Sequence, residues 1–136
     1  MSIYFDGKGN IRPELLGTES EDVAKTFLFP GQGKALNSAQ LRRFYGDMKN
    51  LERKLDSRQQ TGNETDSFLA VLPLVKMVKS KVAYASNPRN AKVPPSFADW
   101  LKKNIDAIET ADDFKAFMLH FEAVVGFCYG LGMSNS

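Results

Sequence analysis

The chain has 136 residues, of which 43% are hydrophobic and 25% are charged, enough for one domain with an apolar core. No stretch approaches the ~18 uninterrupted apolar residues of a membrane span, and the first residues lack the sections of a secretion signal. One cysteine, Cys128, excludes an internal disulfide framework and suits a reducing compartment. We therefore expect a cytoplasmic protein with no membrane contact.

The beginning of the chain is Gly-rich and weakly patterned. We predict a flexible N-terminal arm over residues 1–17 and a single helical domain over residues 18–136. The segment from Thr18 to Glu21 resembles a capping box, in which a hydroxyl and a carboxylate satisfy free amides at a helix start. It predicts a short first helix, which Pro30 ends.

The second predicted helix carries the clearest periodicity. Asn37 is a suitable cap, and Gln40 can reach back toward it. Apolar side chains then recur at spacings of three and four, an amphipathic stripe that ends near Arg58. The stripe consists of Leu41, Phe44, Met48, Leu51 and Leu55.

The third predicted helix runs from about Thr65 to Ala85 and is apolar over most of its circumference. Such a helix is either central in a core or covered by a partner. Pro73 either kinks it or marks a new first turn. A loop stiffened by three prolines follows over residues 87–95.

Two more helices complete the predicted fold. Ser96 with Asp99 predicts the cap of the fourth helix, and Thr110 with Asp113 predicts the cap of the fifth. Both helices carry apolar residues at helical spacing. The sequence therefore predicts an all-α fold, a compact bundle of about five helices.

The residue types of catalysis are sparse. His120 is the only histidine, and it borders the apolar stripe of the fifth helix without the carboxylate and nucleophile of a familiar triad. We interpret His120 as a packing or hydrogen-bonding residue and Cys128 as a core residue. Neither has companions at metal-ligand spacing. We predict no catalytic residue, no metal site and no cofactor, so the protein is not expected to be an enzyme.

Positive charge is concentrated in the middle of the chain. Residues 38–95 hold eleven basic and five acidic side chains, and no acid lies between Ser67 and Ala98. Such a field attracts phosphate, anionic lipid or an acidic protein surface, although a solvated face is the simpler interpretation.

Within this region, Arg42, Lys49 and Arg53 share a narrow sector of the second helix over ~16 Å. One hypothesis makes this sector a phosphate-contact ridge. The alternative is a solvated face whose cations pair within the helix with Glu52 and Asp56.

A second candidate site lies at the end of the third helix. Lys79, Lys81 and Arg89 flank Tyr84, an arrangement that can combine phosphate contacts with stacking on a sugar or base. An aromatic residue at such a position is more often part of the core.

Three segments resemble the small-subunit family of type III-A CRISPR–Csm effector complexes. Residues 36–49 (LNSAQLRRFYGDMK) resemble the start of its main helix, and residues 79–85 (KSKVAYA) its Lys-Pro-Lys-Leu-Ala-Tyr-Ala segment. Residues 121–127 (FEAVVGF) resemble its C-terminal Phe-hydrophobic-Glu-Ala motif. The resemblance covers residues 36–130. Departures occur at Ser80, where the family has Pro, at residues 86–89, where the loop is longer than the family's tight turn, and at residues 126–129.

This resemblance implies a non-catalytic helical subunit of antiviral defence that stacks in a short filament and contacts guide and target RNA through their backbones. The implied partners are guide RNA, target RNA, other Csm subunits and further copies of the chain. The resemblance assigns RNA contacts to Arg42, Arg43, Lys79, Lys81 and Arg89, whereas Lys49 and Arg53 follow from the helix interpretation. The alternative is a protein–protein scaffold whose basic face meets acidic partner surfaces.

Overall fold

A computed structural model describes residues 2–31 and 33–135, and this part of the chain is mostly helical. The only β-pairing in these two ranges is an isolated bridge between Phe5 and Ile11. The all-α prediction is therefore confirmed. The helices are α1 (Pro13–Leu16), α2 (Thr18–Leu28), α3 (Ser38–Gln59), α4 (Glu64–Ala85), a 3-10 turn (Pro88–Asn90), α5 (Pro95–Ala107) and α6 (Ala111–Gly130).

The N-terminal segment is packed against the bundle, which differs from the arm expected from the sequence. The side chain of Tyr4 is fully buried, and its hydroxyl donates to Asn104 Oδ1 of α5 at 2.9 Å. Leu15 of α1 is also buried. Arg12 pairs with Glu19 of α2 at 2.6 Å. Two apolar anchors and one ion pair thus attach a segment whose glycines suggested an unattached chain.

Side-chain caps begin three of the helices. Asn37 accepts from the amide of Gln40 at 2.9 Å at the start of α3, and Asn63 accepts from the amide of Asp66 at 2.7 Å at the start of α4. Thr110 and Asp113 form the capping box predicted for α6. These bonds satisfy amides that have no partner within their own helix.

Two predicted caps are wrong. Thr18 is the first residue of α2 and makes no side-chain cap bond there. Ser96 lies inside α5, which begins at Pro95, and its hydroxyl donates instead to the Thr26 carbonyl at 2.9 Å. A proline at the first helical position needs no cap for its own nitrogen, which carries no hydrogen.

α4 is one continuous helix that includes Pro73. It lies between α3 and α5, and its valines face the core while Pro73 faces solvent. The missing amide of Pro73 therefore lies on the water side, where the carbonyl that it leaves unbonded can be hydrated. Among the helices described here, neither α4 nor any other combines the length and apolarity needed to cross a bilayer.

An aromatic cluster joins α2, α5 and α6. Trp100 of α5 is at its centre, with ring centroids 5.0 Å from Phe121, 5.2 Å from Phe27 and 5.4 Å from Phe117. Such tilted and edge-on pairs add to the burial of apolar area. The cluster fixes how these helices pack, and Tyr45 of α3 adds a ring 5.1 Å from that of Phe121.

Candidate nucleic-acid interface

The outer face of α3 presents the predicted phosphate ridge to solvent. The core side of the helix is held by Leu41, Phe44, Met48 and Leu55, which are fully buried. Arg42 and Arg53 lie on the opposite side and are exposed. Gly46 lies between them, and nothing comes within 4 Å of the position that a Cβ would occupy there. The face is thus open at these three positions.

Lys49 has an internal partner. Its Nζ donates to Glu52 Oε1 at 2.9 Å, and the other carboxylate oxygen of Glu52 lies 3.6 Å from Lys115 Nζ of α6. The hydrogen bond to Glu52 raises the pKa of Lys49. The Lys49–Glu52 pairing agrees with the intrahelical alternative, whereas Asp56 pairs with Lys115 across the interface with α6.

Arg43 occupies the side of α3 that is turned toward α4. Its guanidinium carbon lies 5.4 Å from the centroid of the Phe44 ring, a cation–π distance. The residue remains exposed. In the described part of the chain, no carboxylate lies within ion-pair distance of Arg42, Arg43 or Arg53.

The two lysines at the end of α4 lie on different sides of the helix. Lys79 faces α5, where its Nζ pairs with Asp106 at 2.6 Å. Lys81 lines the groove between α3 and α4, together with Asp47 and Asn50. Residues two apart in a helix are separated by about 200°. The structure therefore does not bring Lys79 and Lys81 together.

Arg89 and Tyr84 lie at the C-terminal end of α4. Arg89 is exposed in the 3-10 turn, where Asn87 caps its amide at 3.0 Å. The side chain of Tyr84 is 70% exposed, so the interpretation of Tyr84 as a core residue is wrong. A helical wheel places Tyr84 on the side of α4 away from the buried valines, and this pattern could have identified Tyr84 as exposed from the sequence.

His120 and Cys128 are both part of the core. The Trp100 indole can only donate, so His120 Nε2 accepts its hydrogen at 3.2 Å, and Nδ1–H donates to the Leu15 carbonyl at 2.9 Å. Burial lowers the pKa of His120 and raises the pKa of the Cys128 thiol to about 12. Across residues 2–31 and 33–135, no group of three or more His, Cys, Asp or Glu residues is arranged to hold a metal.

A sequence model of the family described as Csm2, type III-A, matches residues 11–129. The chain belongs to the Csm2 family. Searches of curated proteins and of solved structures found no match.

Membership of the Csm2 family identifies the chain as a small subunit of a type III-A CRISPR–Csm complex, with the other Csm subunits as its partners. The match begins at residue 11 and so includes α1 and α2, which lie outside the segments of visible resemblance. The family resemblance is confirmed, and the match covers residues 36–129 of the range in which it was seen.

Proposed function

We propose that this Csm2-family subunit binds the backbones of guide and target RNA in the cytoplasm, without sequence preference and without catalysis, and stacks with further copies. One observation supports this most directly. Arg42 and Arg53 are exposed, have no carboxylate at ion-pair distance among the described residues, and lie ~16 Å apart along one helix. Two such guanidiniums can contact separate phosphates of one strand.

The chemistry of these side chains favours phosphate over bases. Arginine presents a planar fork of donors that matches phosphate oxygens. Contacts to phosphate alone position a protein on a nucleic acid but carry no sequence information. Backbone binding of this kind suits a subunit that must accept any guide sequence.

The other predicted cations have unequal support. Arg43, Lys81 and Arg89 have no ion-pair partner among the described residues, so each is available to a phosphate. Lys49 and Lys79 would first have to exchange Glu52 or Asp106 for a phosphate. We therefore expect Arg42, Arg43 and Arg53 to contribute most, and Lys49 and Lys79 to contribute least.

The test is the salt dependence of RNA binding by the purified chain. Fluorescence anisotropy with a labelled RNA duplex or single strand, at several NaCl concentrations, gives the slope of log K against log salt. Each phosphate contact that is lost reduces this slope by about 0.7–0.9. The double variant Arg42→Ala/Arg53→Ala should therefore reduce it by about 1.4–1.8 and weaken binding at low salt.

A charge-matched control separates a local site from a general effect of net charge. Lys8 and Lys103 are exposed, lie outside α3 and also have no ion-pair partner in the described ranges. The variant Lys8→Ala/Lys103→Ala should leave both affinity and slope close to the wild type. Equal losses in the two double variants, or no loss in the first, would contradict the proposed site. Preferential binding of an acidic polypeptide would favour the scaffold alternative.

A further inference from the structure

The outer face of α4 carries an apolar ridge that no other part of the described chain covers. Leu69, Pro73, Met77 and Tyr84 fall within about 80° of one another at 100° per residue. Leu69 and Met77 are each 55% exposed, and Tyr84 is 70% exposed. The ridge extends over ~22 Å from Leu69 to Tyr84. Ser80 interrupts the ridge between Met77 and Tyr84, and exposed apolar side chains grouped in this way suit an interaction site.

The N-terminal end of the ridge is acidic. A groove of about 190 Å³ opens there between the first turns of α4 and α6. The apolar part of its lining comes from Phe68, Leu69 and Ala111. Three carboxylates also line the groove, those of Glu64, Glu109 and Asp112. No basic residue lines the groove. It is smaller than the ~300–1,000 Å³ of small-molecule pockets, so its size suits a single side chain of a partner.

The C-terminal end of the ridge is basic. Tyr84 projects there, near Lys81, Arg89 and Lys92 in sequence. The backbone amide of Lys92 donates to the Ala85 carbonyl at 2.7 Å, which holds the loop against the helix end. Within the described residues, none of these three cations has a carboxylate at ion-pair distance. Three cations without an ion-pair partner in the described ranges thus lie within eight residues of the exposed aromatic ring.

We propose that the basic end of this ridge docks into the acidic groove of a second copy of the chain, with Tyr84 entering the groove beside Leu69. The argument is complementarity, because one end offers an aromatic side chain among cations and the other an apolar groove among carboxylates. This inference rests on the stacking part of the proposed function and names the surfaces that would make the contact.

The geometry of such a contact determines the form of the assembly. The two patches are different surfaces at opposite ends of one helix, so the interface is heterologous. A heterologous contact leaves one free patch at each end of the pair, and further copies can add unless the rotation closes a ring. The product is an open stack, in which the outer faces of α3 repeat at a regular spacing. Such a repeat suits a long polyanion.

The test is sedimentation velocity of the full-length chain at increasing protein concentration. Wild-type protein should show an average mass that continues to rise beyond two chains. Leu69→Lys places a cation in the groove, and Tyr84→Glu places a carboxylate on the docking side chain. Each variant alone should weaken association at least ~10-fold. Both side chains are exposed, so circular dichroism should show unchanged helix content.

An equimolar mixture of the two variants provides the decisive measurement. The intact basic end of the Leu69→Lys chain can dock into the intact groove of the Tyr84→Glu chain, and both remaining ends of that pair are blocked. The mixture should therefore form a one-to-one dimer and stop there. Leu119→Lys is the matched control, because Leu119 of α6 is 44% exposed and lies outside both patches.

Three results would overturn the inference. These are a wild-type chain that stays monomeric at all concentrations, a mixture that forms no dimer, and a wild-type assembly that stops at two chains. A loss of RNA affinity in Tyr84→Glu with unchanged self-association would instead assign Tyr84 to base stacking. The Arg42→Ala/Arg53→Ala variant should keep its self-association, so failure of RNA binding and failure of this contact are distinguishable.

Discussion

The hydrogen bonds of His120 predict how stability depends on pH. Its Nε2 accepts from Trp100, and its Nδ1–H donates to the Leu15 carbonyl, with Ser20 Oγ at 2.9 Å from Nδ1. A second proton would have to occupy Nε2 and point at the indole N–H. Burial, the largest cause, lowers the pKa of the ring, and Arg12 acts in the same direction, whereas the hydrogen bond to Leu15 and the charge of Glu19 oppose it. Folding therefore favours the neutral ring.

The sign and size of the effect follow from that preference. Because the pKa of the ring is lower in the folded than in the unfolded protein, its contribution is complete above the unfolded value of ~6.5 and is lost as the pH falls below that value toward the folded pKa. If the folded ring stays neutral, the unfolding free energy decreases by about 1.4 kcal/mol between pH 7.5 and 5.5. This is the upper limit. The chain has one histidine, and carboxylates titrate mainly below this range. The change in unfolding free energy between these two pH values should therefore come mainly from His120.

Urea unfolding at the two pH values measures this difference. Trp100 is the only tryptophan, so its fluorescence reports on the region next to His120, and circular dichroism follows the helices. In the His120→Gln variant the side chain can still accept a hydrogen bond from the indole but does not titrate. We expect lower stability at both pH values and little change between them. Equal stability of the wild type at both pH values, or an equal decrease in the variant, would refute the argument.

Three further predictions concern the caps, the ion pairs and the thiol. Thr110→Ala should lower the unfolding free energy by about 1 kcal/mol because it removes the α6 cap. Thr18→Ala should have almost no effect on the unfolding free energy because Thr18 caps no helix. Urea titration of both variants checks this difference. Glu52→Gln should cost about 1–2 kcal/mol in the same assay, since it removes the carboxylate shared by Lys49 and Lys115. Cys128 should react slowly with a thiol reagent at pH 8 until urea unfolds the chain, because burial keeps the thiol protonated. Rapid labelling of the folded protein would contradict this prediction.

Sequence periodicity was sufficient for the long helices. The stripe from Leu41 to Leu55 predicted α3, and Asn37 predicted its start, because cap and core face are both local patterns. The packing of Tyr4 against Asn104 was not predictable, since the two residues are 100 positions apart and no local pattern joins them. Thr18 and Ser96 show the converse limit. A motif that matches a cap forms one only where its first residue occupies the N-cap, and the N-caps here are Gly17 and Pro94.

The candidate site was only partly predictable, for a similar reason. Helical spacing alone placed Arg42, Lys49 and Arg53 on one sector of α3. It did not reveal that Lys115 of α6 reaches the same carboxylate as Lys49, because that contact depends on how α6 packs. The separation of Lys79 from Lys81 follows from helix geometry, yet their proximity in sequence suggested a single cluster. Tertiary contacts decide which cations remain free.

Lys76 has a consequence for assembly. Its ammonium group donates to the carbonyls of Ile105 at 2.6 Å and Ile108 at 3.1 Å, at the C-terminal end of α5. This bond holds α4 against α5 where the helix dipole favours a cation. The outer surface of α4 is therefore set in place before any neighbouring molecule arrives. Association of subunits would therefore restrict few internal motions. The entropy cost of association would then come mainly from the lost translation and rotation of whole subunits.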